Sequence, residues 1–218
     1  LDKELELLEP FLDEFEGYSE EVYPDQKNNP TVGYGFNLNA GDTAGLLKLH
    51  GYDPEALKSK KLKMKQEDAK TIRRNIINKK ADNLKQTIGE DLYNTLDSNK
   101  KAGLLSLMYN APALIGPKLI QGLSTDDGDL SLLSEVVSNS NKNKDAGVLY
   151  RRLREAELMS PKSFPNVFQA MTKDQLYSLK KMGEKHPQIV EKYGIQLGIK
   201  PSPLGLDNLF KLFKKNKL

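Results

Sequence analysis

The sequence predicts an α+β fold that is mainly helical, and three observations carry that expectation. Apolar residues recur at helical spacing through most of the chain, one short region alone combines β-type runs with a turn cluster, and Gly and Pro punctuate the segments at short intervals. With 218 residues, 38% hydrophobic and 29% charged, the chain is long enough to bury a core and has the balance of a folded globular protein. One domain or a cleft-bearing pair of lobes is expected.

Leu5, Leu8, Leu12 and Phe15, with Phe11 beside them, place an amphipathic helix over 3–16, with Pro10 as a candidate bend and Gly17 as its stop. EVYPDQKNNPTVGYGFNL follows, where two short β-type runs flank Lys27-Asn28-Asn29-Pro30, the pattern of a small hairpin. Beyond Gly41 the pattern is helical again: a short helix around 42–49, a Gly/Pro break at Gly51–Pro54, and a long polar helix from about 66 to 87. KKAGLLSLMYN, after Asp97-Ser98, is too apolar for a surface helix and belongs in the middle of a helical lobe. Pro112, Gly116 and Pro117 then break the pattern, and helices are expected around 129–138 and 146–159. After Met159, SPKSFPNVF has loop character, helices are expected near 173–183 and 187–193, GIKPSPLG suits a linker, and LDNLFKLFKKNKL suits a short basic amphipathic helix. The Lys-rich run 58–65 and the Ser/Asn/Lys-rich run 138–144 are expected to be solvated loops.

Several function classes fall away on composition. The absence of Cys excludes disulfides, thiolate metal sites and cysteine nucleophiles. His50 and His186, the sole histidines, are far apart and lack a carboxylate cluster, so neither a metal site nor a Ser-His triad is expected. No apolar window approaches the ~18 residues of a membrane span, and LDKELELLEPFLDEF lacks the basic and apolar regions of a signal peptide. Leu at position 1 leaves open a fragment, a processed product or a trimmed chain. A net charge of +3 and a pI near 8.8 favour anionic polymers only weakly, and no nucleic-acid motif is present, so nucleic acid is not an expected partner.

The hairpin region supplies a constellation with chemistry in it. Hydrolysis of a glycosidic bond needs one protonated carboxyl to assist the leaving oxygen and one ionised carboxyl on the opposite face of the sugar. Glu16 ends the first helix, where the negative end of the helix dipole disfavours an ionised carboxylate, the condition a general acid requires. Asp25, nine residues on, lies beside a turn in a better solvated setting, although an Asp after Pro24 also suits a residue that simply bonds its own turn. Hairpin pairing brings the Thr31 hydroxyl toward Asp25, a geometry that suits two groups holding one water. Gly33 and Gly35 alternate along the second strand, leaving a stretch without side chains where a backbone packs tightly or a polymer approaches.

The order E-G, then D-x5-T-x-G-x-G, here Glu16-Gly17, Asp25, Thr31, Gly33 and Gly35, resembles the active-site signature of phage T4-type lysozymes, glycoside hydrolase family 24. The similarity continues through KQEDAKTIRRNI, which resembles the start of that family's connecting helix, and NTLDSNKKAGLLSLMYN, which resembles its central buried helix. It ends at about Met159, with GVLYRRLREAELM resembling the family's closing helix. One position departs: Phe36 stands where the family usually has a His tied to folding stability rather than chemistry.

The resemblance implies a two-lobed fold, with a small sheet lobe at about 17–64, a connecting helix at 65–88 and a helical lobe at 89–160, and leaves 161–218 as a helical extension or linker. It implies Glu16 as acid, Asp25 and Thr31 around the attacking water, and Gly33, Gly35, Tyr109 and Asn110 as substrate-binding candidates, Tyr109 being equally suited to core packing. The expected activity is hydrolysis of the β-1,4 bond between N-acetylmuramic acid and N-acetylglucosamine in peptidoglycan, without metal or organic cofactor. Inversion is expected, with carboxyls roughly 6.5–9.5 Å apart. Lytic transglycosylation by the same acid and an inactive wall-binding virion module are the alternatives. Peptidoglycan is the implied partner, further phage virion proteins are a second class, and the implied location is the virion or the host periplasm and cell wall.

Overall fold

Leu8, Phe11 and Leu12 line one side of α1 (Asp2–Glu16) and are buried, as their spacing predicts. Pro10 lies inside the helix, which runs through it without a break. The computed structural model describes residues 1–25, 27–139 and 145–199. The chain divides into two compact units, the first comprising Leu1–Ser98 with Met108–Asn110, the second Asn99–Leu107 with the described residues from Ala111 onward.

In the first unit α1 is followed by β1 (Ser19–Pro24), β2 (Pro30–Gly33) and β3 (Phe36–Asn37), an antiparallel sheet in the order β1-β2-β3. Tyr23 pairs with Thr31 and Pro24 with Pro30 across the first hairpin, while Thr31 faces Asn37 and Val32 faces Phe36 across the second. The expected hairpin is therefore present and extended by one short strand. Gly33 closes β2, and Gly35 lies in the turn to β3 rather than on the second strand. Helices α2 (Gly41–Leu49), α3 (Pro54–Lys58), α4 (Gln66–Ile88) and α5 (Glu90–Thr95) complete this part of the chain, and α6 (Ser98–Asn110) contributes its last three residues to the same unit.

The core under the sheet gathers Val32, Phe36, Leu38, Leu47, Leu57 and Met64. Phe36 is 2% exposed in it and serves as an apolar anchor of the sheet. The Lys-rich run is less solvated than expected, because Met64 is 1% exposed and its N–H donates to the Glu20 carbonyl at 2.9 Å. Lys63 pairs with Glu20 and Glu21 at 2.8 and 2.7 Å, which fastens the run to β1.

In the second unit come α7 (Pro117–Leu123), α8 (Leu130–Ser138), α9 (Ala146–Met159), α10 (Phe164–Ala170), α11 (Lys173–Gly183) and α12 (Pro187–Leu197). Helix α8 packs on α7, α9 and α10, and α11 packs on α9 and α12, so the residues after Met159 fold back onto α8 and α9. Two of these helices correct the sequence reading. SPKSFPNVF was expected to be a loop, yet Phe164, Val167 and Phe168 bury at helical spacing and Pro165 occupies the first turn, where its missing N–H costs nothing. Pro117, taken as a breaker, likewise starts α7. The terminal amphipathic helix, the linker beyond Ile199 and positions 140–144 lie outside the described residues. No helix among the described residues is long and apolar enough to cross a membrane.

Gly33 adopts φ +64°, and a Cβ built there would stand 2.7 Å from the Met64 sulfur and 2.8 Å from the Phe36 ring. We expect Gly33→Ala to cost about 1–3 kcal/mol through overpacking, plus ~1 kcal/mol for the left-handed backbone. A lower urea midpoint is the result that checks this, and an unchanged midpoint would show that the sheet core yields more easily than its packing implies.

Candidate active site

Glu16 is the last residue of α1, half-buried, with its carboxylate beside the β2–β3 turn. A Cβ on Gly35 would lie 3.4 Å from Glu16 Oε2, and Gly35 itself holds φ +84°. Glycine is required there by the backbone angle, and its main chain lies beside the carboxylate.

Two consecutive arginines of α4 set where that carboxylate stands. Arg74 grips Glu9 through both side-chain oxygens, at 2.5 and 2.8 Å, and its guanidinium holds the Glu9 carboxyl below the usual range. Arg73 is 1% exposed and donates to Asp13 Oδ1 at 2.6 Å. Glu9 and Asp13 are one turn apart on α1, so the helix is tied along the face that leads to Glu16. The same Arg73 guanidinium lies 4.0 Å from the centre of the Tyr34 ring, next in sequence to Gly35. Tyr34 accepts a bond from Gln66 Nε2 on its hydroxyl at 3.2 Å, and on its carbonyl one from the Tyr109 hydroxyl at 3.3 Å.

The hairpin turn builds the second carboxyl. Asp25 Oδ1 accepts from the N–H groups of Lys27 and Asn29, both at 2.8 Å, and Oδ2 accepts from Asn29 Nδ2 at 3.0 Å. Main-chain bonds close the same loop, from Asp25 N–H to the Asn29 carbonyl at 2.9 Å and from Asn28 N–H to the Asp25 carbonyl at 2.9 Å. These donors, the Asn29 backbone first and its side-chain amide second, favour the ionised form and lower the Asp25 pKa. A carboxylate offers about four acceptor positions, so three donors leave one on Oδ2 for a water or a substrate hydroxyl.

Thr31 is 3% exposed, and its hydroxyl donates to the Asn29 carbonyl at 3.1 Å. The hydroxyl expected beside Asp25 is thus linked to it through Asn29, which holds both side chains. Tyr23, opposite Thr31 on β1, is half-buried, and its phenol is pushed up in pKa first by burial and then by the charges of Glu16 and Asp25. One phenol therefore senses both carboxyls.

Of the remaining candidates, Tyr109 is half-buried and Asn110 exposed at the end of α6, both in the first unit with Glu16. Gly33 sits away from solvent with its missing side chain aimed into Met64 and Phe36. Tyr23 and Asn29 were missed by sequence reasoning. A signal for Asn29 existed, since an Asp four residues ahead of an Asn across a turn is the pattern of an Asx-type loop. The histidines lie elsewhere, His50 against Asn75 Nδ2 at 3.0 Å and His186 stacked on Tyr150. Among the described residues, no group of three or more His, Cys, Asp and Glu is placed to hold a metal ion.

Comparison with protein families matches the family described as phage lysozyme over residues 13–155, a span that contains Glu16, Asp25, Thr31, Gly33, Gly35, Tyr109 and Asn110. Comparison with curated proteins and with solved structures finds no match.

The Asp25 turn has a measurable consequence. Because the Asp25 pKa is lowered in the fold, the turn gains stability at pH above the unfolded-chain value and loses it as pH falls through the folded value. In a carboxyl-carbon NMR titration, Asp25 should titrate below the usual aspartate range. Asn29→Ala should raise that midpoint without abolishing the shift, since both backbone donors remain; an unmoved midpoint would remove Asn29 from the account.

Proposed function

The chain belongs to the phage lysozyme family, whose members are peptidoglycan hydrolases, and from that premise we propose that it is a muramidase with Glu16 as its general acid. The bond cleaved is the β-1,4 link between N-acetylmuramic acid and N-acetylglucosamine. The observation that carries this reading is the second carboxyl. Asp25 is held ionised by three turn donors on the hairpin that follows Glu16, whose own carboxylate stands at the helix end beside Gly35.

In the proposed reaction Glu16 gives its proton to the glycosidic oxygen as the bond to the anomeric carbon breaks. Positive charge grows on the ring and is stabilised by the ionised Asp25. A water held by the remaining acceptor position of Asp25 and by the Thr31 oxygen attacks the opposite face. A low pKa makes Asp25 a weak base, and that suffices here, because a water bonding to an oxocarbenium-like carbon becomes strongly acidic. The product is a reducing muramic acid of inverted configuration. Tyr109 and Asn110, at the end of α6, are the proposed contacts to the glycan beyond the cleaved bond. The substrate places the action at the host wall, from the virion or from within the infected cell.

Two variants test the roles. Glu16→Gln should fold as the parent does and lose at least ~100-fold in activity on purified walls. Asp25→Asn retains an oxygen to accept the Lys27 and Asn29 N–H groups but loses the charge, so it too should fold and lose activity by a similar factor. Mass spectrometry of released muropeptides reads out both. Retained activity in Glu16→Gln would sink the acid assignment, and 1,6-anhydro products from the parent would instead assign a lytic transglycosylase.

A further inference from the structure

Four tyrosines withdrawn wholly or partly from solvent use their hydroxyls within the protein. Tyr18 donates to the Met64 carbonyl, Tyr52 to Asp68, Tyr193 to Glu157, and Tyr34 accepts from Gln66. Such pairing is the rule, since a phenol that loses water needs a replacement partner. Tyr23 departs from it. It is half-buried on β1, yet among the described residues no protein group hydrogen-bonds its hydroxyl.

Its surroundings say what the hydroxyl faces. Tyr23 and Thr31 are direct cross-strand partners and so project from the same face of the sheet. Asp25 follows Tyr23 by two residues, held in place by Asn29, and the charges of both Glu16 and Asp25 reach the phenol. If the two carboxyls act from the two faces of one sugar, the reacting ring stands where this hydroxyl is open. We propose that Tyr23 is a further catalytic residue, whose phenolic hydroxyl donates a hydrogen bond to the saccharide at the bond being cleaved. This rests on the assignment of Glu16 and Asp25 made above. Burial first, and the charge of Asp25 with it, favour the protonated phenol, the form that donates.

The test pairs Tyr23→Phe with Glu16→Gln. Tyr23→Phe removes one oxygen that no group among the described residues holds, so its thermal midpoint should match the parent's. Its kcat/KM on purified peptidoglycan should fall roughly ten-fold, mostly in kcat, if the bond strengthens as the sugar distorts. Independently, a chito-oligosaccharide added to Glu16→Gln carrying 13C-labelled tyrosine should shift the Tyr23 Cζ resonance, identified by its loss in the double variant. An inactive Glu16→Gln beside a fully active Tyr23→Phe, or an unmoved Cζ resonance with saccharide bound, overturns the role of Tyr23 and leaves the acid standing. An active Glu16→Gln overturns the functional reading itself.

Discussion

The guanidinium of Arg73 is where three elements of the first unit meet. It is buried on α4, bonded to Asp13 of α1, and laid over the ring of Tyr34 at the β2–β3 turn. A buried guanidinium costs several kcal/mol in lost hydration, and among the described residues one carboxylate, itself half exposed, answers the charge directly. Its Nε has no hydrogen-bond partner among the described residues. Such a group is a poor source of stability. It is a good source of registration, because the charge is satisfied only when α1 and the turn stand in one arrangement around it. Glu16, three residues beyond Asp13, and Gly35, one beyond Tyr34, are brought face to face by that arrangement.

Asp25 is placed by a different kind of constraint, entirely local. Its carboxylate, the Asn29 side-chain amide and four main-chain N–H groups, those of Asp25, Lys27, Asn28 and Asn29, make a closed loop within one turn. Glu16 is thus positioned by long-range contacts and Asp25 by a turn. The division suits the proposed chemistry. A group that must change protonation depends on its wider surroundings, whereas a group that must stay charged can be secured by fixed donors beside it.

This difference explains what could be seen in the sequence. Helices with clean apolar spacing, such as α1, α4, α9 and α11, were legible to within a residue or two, and so was the hairpin. The short helices α7 and α10 were hidden because each opens on a proline, which marks a break or a first turn according to packing that spacing does not encode. Glu16, Asp25 and Thr31 stood out as candidates through their joint spacing, and Asn29 was visible only as turn composition. Arg73 and Arg74 were read as part of a polar helix surface, since nothing in a run such as TIRRNI says that one arginine will be buried and its neighbour bidentate. Tyr23 left no trace, because an unclaimed hydroxyl is a property of its neighbours.

The two glycines of T-x-G-x-G show how a single motif can join unrelated causes. Both hold positive φ, so a shared backbone demand explains their presence together. Their side-chain directions separate them. At Gly33 the missing Cβ makes room for Met64 and Phe36, which are core, and any larger residue would push against the packed side of the sheet. At Gly35 the missing Cβ faces a carboxylate at ordinary contact distance, so the space is tolerant and the backbone angle alone requires glycine. Alternation that looked like one bare strip for a polymer is therefore a turn with two sides, one packed and one open beside Glu16. The spacing of two comes from the turn that joins β2 to β3, which takes a positive φ at Gly33, where the strand ends, and again at Gly35, beside Glu16.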